Sequence, residues 1–173
     1  MKIFLSCITS LYLLALGAVI GGILACGVLS APVIFSASQY LATLGITDMT
    51  RYASGILMTE IFVRFGYVLN AMAIFILIYE LLVFNISSKK SLFLLGVGIL
   101  SVVLIFLFTM YYMPLIVSAQ QEGAASTATE EFESIHTQSE IVFKILLLTL
   151  SASFLWRVYV LRFSLPTTKG RRR

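Results

Sequence analysis

Two short phrases hold the charges most capable of chemistry. One is Glu60-Ile61-Phe62-Val63-Arg64; the other is Glu140-Ile141-Val142-Phe143-Lys144. In each, an acid precedes a base by four residues, the favourable order on a helix face. His136 stands one turn before Glu140. Both phrases sit in strongly apolar surroundings, where an ionisable group is costly and is a candidate for function by default. If the two faces meet, Glu60, Arg64, His136, Glu140 and Lys144 make one polar cluster able to bind or pass a proton or a metal ion, with Asn70 and Ser139 beside it. The alternative is that each pair only orients its helix in the bilayer. His136 is the sole histidine and the only candidate metal ligand of its kind. Zinc and copper sites ordinarily gather more histidine and cysteine than that. A haem held by two histidines of one chain is excluded. No nucleophile triad, phosphate loop or dinucleotide fingerprint occurs. No cofactor is specified.

The elements that must carry these residues follow from composition. Of 173 residues, 60% are hydrophobic and 12% charged, and the mean hydropathy is +1.01. Soluble domains carry about 25% charged residues, so the expected solvent is lipid. Four apolar runs cover about 4–32, 54–85, 91–113 and 132–163. Each reaches the roughly 20 residues a crossing helix needs, and unbroken apolar runs in lipid are helical. The expected fold is all-α, a polytopic membrane four-helix bundle forming one integral membrane domain. Lys2, Lys89–Lys90 and Lys169 with Arg171–Arg173 place both termini on the cytoplasmic side, N-in and C-in. These basic clusters are topology signals, and no nucleic-acid partner is indicated. Residues 114–131 are expected to form a flexible outer loop. Residues 36–53 are expected to lie along the outer interface, with Gly45 as a break. The first run is too long for a removed signal peptide, whose apolar core spans about 7–15 residues.

The charges also set a depth. Only 15 residues separate Arg64 from Glu80, and only 12 separate Lys144 from Arg157. Both stretches are shorter than a crossing of about 20. At least one ionisable group on each returning helix therefore lies at membrane depth or reaches out of it. Lys89 or Lys90 is the expected partner of Glu80. Asn85-Ile86-Ser87 matches a glycosylation acceptor but falls on the cytoplasmic side.

Span one carries two small-residue rows: Gly17, Gly21 and Ala25 beside Ala18, Gly22, Cys26 and Ser30. Such rows let another helix approach closely. They make span one the packing helix of the bundle or a contact for a second copy or a membrane-complex partner. Gly96 and Gly98 give span three a thinner version. Cys7 and Cys26 are 19 positions apart, roughly 28 Å along a helix, and cannot pair within one chain.

The chain repeats itself. APVIFSASQ from Ala31 and MPLIVSAQQ from Met113 share proline, isoleucine, serine, alanine and glutamine in register, 82 residues apart. The acid–base phrases recur at an offset of 80. A duplicated two-helix unit, related by an axis along the membrane normal, accounts for both. Pro32 and Pro114 mark helix boundaries or kinks at Ala31 and Met113. The serine and glutamine that follow are placed to cap the freed carbonyls.

The glycine-rich first helix ending in "APVIF", then "ASGILMTEIF", "YYMPLI" and "FESIHTQSEIVFK", resembles the bacterial four-helix membrane family called domain of unknown function four-one-four-nine. That family is grouped with the transmembrane-protein-two-zero-five proteins and, distantly, with copper-resistance protein D-like proteins. The resemblance extends from about Tyr12 to Trp156. It implies a four-helix fold in a bacterial inner (plasma) membrane, with motif positions Pro32, Phe35, Pro114, His136 and Ser139, and it implies no reaction. The relatives often continue His with Gly and Ser; here Thr137 and Gln138 follow His136. Three functions fit: a non-enzymatic component binding or passing a small polar species, an assembly subunit, and a haem- or quinone-linked redox subunit.

Overall fold

The computed structural model describes residues 2–46, 49–86 and 91–164, with side chains from residue 4 to residue 161. Lys89, Lys90, Lys169 and Arg171–Arg173 lie outside the described residues. Four helical stretches are long and apolar enough to cross a membrane: Phe4–Phe35, Arg51–Ile86, Leu92–Glu122 and Glu130–Leu161. The chain is a multi-pass integral membrane protein built wholly from helices among the described residues.

Span one joins α1 (Lys2–Leu24) to α2 (Ala31–Phe35) through a π-helical turn at Ala25–Ser30. A short α3 (Ala37–Ala42) follows, and span two is the single helix α4 (Arg51–Ile86). Span three joins α5 (Leu92–Phe106) to α6 (Met113–Glu122) through a second π-helical turn, Leu107–Tyr112. Span four is α7 (Glu130–Ser164). Span two packs on span three, three on four, four on one and one on two, so consecutive spans are neighbours around a ring. Spans two and four occupy opposite corners. Their aromatic rings meet near the axis, with Phe62 and Phe143 centred 5.2 Å apart and Phe108 against both.

The prolines do not stop their helices. Each sits at the start of a helix that continues outward, directly after a π-turn. The Ala31 N–H bonds the Cys26 carbonyl and the Met113 N–H bonds the Phe108 carbonyl, both five residues back. In a regular helix a proline ring collides with the carbonyl four residues back. One extra residue in the turn relieves that collision while neighbouring backbone groups stay paired, which lipid demands. The two π-turns are 82 positions apart, so the repeat read in the sequence is also a repeat of backbone form.

Two expectations change as a result. The outer loop is not residues 114–131, because α6 runs to Glu122 and the connection shrinks to Gly123–Thr129 with a 3-10 turn at Ser126–Ala128. Among the described residues the shared Ser36, Gln39, Ser118 and Gln121 cap no carbonyl through their side chains. The neighbouring Gln120 reaches sideways: its Nε2 donates to Thr59 Oγ1 at 2.9 Å, and its backbone carbonyl accepts from the Tyr52 hydroxyl. Gly45 does break the outer segment. Its φ of 77° closes a turn in which the Gly45 N–H bonds Ala42 O and the Ile46 N–H bonds Leu41 O. That paired pattern needs a left-handed residue, which glycine adopts without cost to a side chain.

Candidate functional site

The outer acid–base pairs form within their own helices. Arg64 Nε donates to Glu60 Oε1 at 2.9 Å. Lys144 Nζ donates to Glu140 Oε2 at 3.0 Å, and His136 Nε2 lies 3.4 Å from Glu140 Oε1. All five side chains are exposed on the outside of the bundle. Among the described residues no ion pair joins one set to the other, so the single five-residue cluster does not assemble. The cause is placement. Spans two and four stand on opposite corners, and the faces that meet carry Phe62 and Phe143 rather than the charges. Asn70 turns to Thr109, whose hydroxyl lies 2.7 Å from its Oδ1. Buried Ser139 donates to the His136 carbonyl at 2.6 Å. Among the described residues no group of three His, Cys, Asp or Glu is arranged to hold a metal.

The strongest polar centre lies nearer the opposite end of the bundle. Glu80 and Arg157 are 3% and 5% exposed, and they form a direct ion pair between Glu80 Oε1 and the Arg157 guanidinium. Arg157 is the partner of Glu80 among the described residues; Lys89 and Lys90, the expected partners, lie outside them. The Tyr12 hydroxyl donates to the same Glu80 oxygen at 3.2 Å. Arg157 also donates to the Tyr79 hydroxyl at 3.3 Å, which in turn donates to Thr9 Oγ1 at 3.0 Å. The Tyr12 and Tyr79 rings stack at 3.8 Å, nearly parallel, and the guanidinium carbon lies 4.6 Å from one ring centre and 5.1 Å from the other. A cation over aromatic faces in a dry interior gains more than it would in water.

All four spans contribute. Span one supplies Thr9 and Tyr12, span two Tyr79 and Glu80, span four Ser153 and Arg157. Span three supplies space: a Cβ on Gly98 would stand 2.6 Å from Glu80 Cγ. Glu80 lies six residues inside the end of α4, about 9 Å along the axis. Two polar atoms of this centre, Arg157 Nε and Ser153 Oγ, are buried without a hydrogen-bond partner among the described residues. A cavity of about 270 Å³ adjoins the pair. Glu80, Arg157 and Ser91 give it a polar wall, and Val83, Leu95 and Trp156 an apolar one. Such a wall of fixed donors and acceptors facing an apolar one can hold a molecule with a polar head and a greasy body.

The charge spacing in the sequence singles out these two positions without pairing them. Glu80 and Arg157 are the inner limits of the two short charge-free stretches, have opposite signs, and lie 77 positions apart, close to the repeat offset. That combination was the available signal.

The small residues of span one divide between two faces. Gly22 lies against Phe65, whose ring a Cβ would approach to 2.6 Å, while nothing lies within 4 Å of a Cβ on Gly21. Gly17 and Gly21 are exposed.

No curated protein and no solved structure matches the chain. Residues 14–125 match the family described as a domain of unknown function (DUF4149). The matched segment holds Gly17, Gly21, Pro32, Phe35, both π-turns, Pro114 and Glu80, whereas His136, Ser139 and Arg157 lie beyond it. With most of its length matched, and with four membrane-spanning helices, this chain belongs to the DUF4149 family.

Proposed function

We propose that this chain is a non-enzymatic protein of a bacterial inner membrane that binds a small amphiphilic molecule beside the Glu80–Arg157 pair. The cavity next to a buried, four-span polar centre carries this reading. The outer pairs serve as orienting charges in the outer leaflet. His136 and Glu140 offer two groups where metal sites take three or four, so the inner cavity is the better candidate for a small polar species. Leu95→Trp fills the apolar wall without altering the ion pair. Native mass spectrometry of the protein extracted from its own membranes should show a bound small molecule on the wild type and its loss in Leu95→Trp. A wild-type protein that carries no adduct from its own membranes would refute the proposal.

A second reading is an assembly subunit, favoured by the exposed Gly17 and Gly21 of span one. A leucine at Gly21 meets open space inside this chain, so the fold should persist. The close approach of a partner helix should not. Gly21→Leu is expected to insert and melt like the wild type while running at a smaller size on a native gel. An unchanged native size would remove this reading.

A further inference from the structure

The opposite end of the bundle has a second cavity, of about 260 Å³, lined by Phe35, Ser38, Met49, Arg51 and Ser54. Its polar groups share one chemistry. Arg51 is an exposed cation with no ion-pair partner among the described residues. It opens α4, whose first turn adds partial positive charge. Ser54 is 3% exposed, lines the cavity, and its hydroxyl makes no hydrogen bond among the described residues. Ser38 adds a second hydroxyl. The hydroxyl of a buried serine, a guanidinium with no ion-pair partner among the described residues and a helix N-terminus around one space suit a phosphate oxygen.

The surroundings indicate what bears the phosphate. Phe35 lines the cavity, and Val33, Phe35, Tyr40 and Leu44, from the same stretch of chain, are large, apolar and exposed. They belong to the segment between the proline of span one and the start of span two, at the outer interface by the charge rule. The repeat provides a contrast. The position equivalent to Ser38 in the second unit is Gln120, whose amide is already engaged by Thr59. Ser38 is shorter and leaves its space open.

We propose that this cavity binds the phosphate group of an outer-leaflet phospholipid, with Arg51, Ser54 and Ser38 on the phosphate and Phe35 beside the acyl chains. The full chain in detergent is titrated with phosphatidylglycerol and separately with inorganic phosphate, and bound species are counted by native mass spectrometry. Wild-type protein should retain phosphatidylglycerol. Arg51→Gln should lower retention about tenfold or more, and Ser54→Ala should lower it less. Arg64→Gln, a cation on the same span already held by Glu60, should leave it unchanged. Thermal melts of each variant separate lost binding from lost fold. Retention that survives Arg51→Gln, or falls equally in Arg64→Gln, would overturn the site. Displacement of the lipid by equimolar inorganic phosphate would overturn the lipid as its source.

Discussion

Arg157→Ala should lower the stability of the folded bundle by about 3–5 kcal/mol, the range for removing one partner of a buried ion pair. Among the described residues the carboxylate of Glu80 would keep only the Tyr12 hydroxyl, at 3.2 Å, in a site that is 3% exposed. Tyr79 would lose its guanidinium donor, and the stacked tyrosines would lose the cation lying over them. The cost arises from the stranded charge, so removing both charges should behave differently. Glu80→Leu with Arg157→Met replaces the pair by apolar groups of similar size and should recover most of the loss, since such replacements are often neutral or stabilising. Unfolding in a denaturing-detergent titration would read both variants. A wild-type midpoint for Arg157→Ala would show that the pair is not what locks the four spans together. A double variant as unstable as the single one would show that the pair contributes net stability of its own.

The contrast between Glu80 and Glu60 shows what a membrane sequence reveals. Glu60–Arg64 and Glu140–Lys144 are local, four residues apart, and helix geometry alone brings them together. Their failure to meet one another depends on which corners spans two and four occupy and how each helix is rotated, and no local pattern encodes that. For Glu80 the charge-free stretches mark an ionisable group inside the apolar span, and the fold buries it. Its partner among the described residues is Arg157, 77 residues away, because tertiary packing closes that distance. The four spans were legible because apolar runs of this length have few other fates. The prolines were legible as perturbations. Their resolution as π-turns was not, since one extra residue in a turn leaves no trace in an apolar run where every face is greasy. The glycines follow the same logic. Gly21 and Gly22 are adjacent and chemically identical, and only the fold shows that one lies against Phe65 and the other meets nothing.

Gly98→Ala tests the same centre from the side of span three, and its expected sign depends on its neighbour. In an exposed helix interior, glycine to alanine gains about 1 kcal/mol. Here the new Cβ would stand 2.6 Å from Glu80 Cγ, 3.0 Å from Cδ and 3.2 Å from Oε1. Glu80 cannot swing aside cheaply, because Arg157 and Tyr12 hold its carboxylate. Either the ion pair distorts or spans two and three move apart, and overpacking of this kind costs about 1–3 kcal/mol. The alanine should therefore destabilise the native bundle. In a Glu80→Ala, Arg157→Met background the three opposing atoms are gone, and the same substitution should become neutral or stabilising by up to about 1 kcal/mol. Detergent unfolding of the four variants gives the coupling directly. If Gly98→Ala has the same effect in both backgrounds, Gly98 does not make room for Glu80. If its sign reverses, the glycine of span three is present so that a carboxylate of span two can reach an arginine of span four inside the membrane.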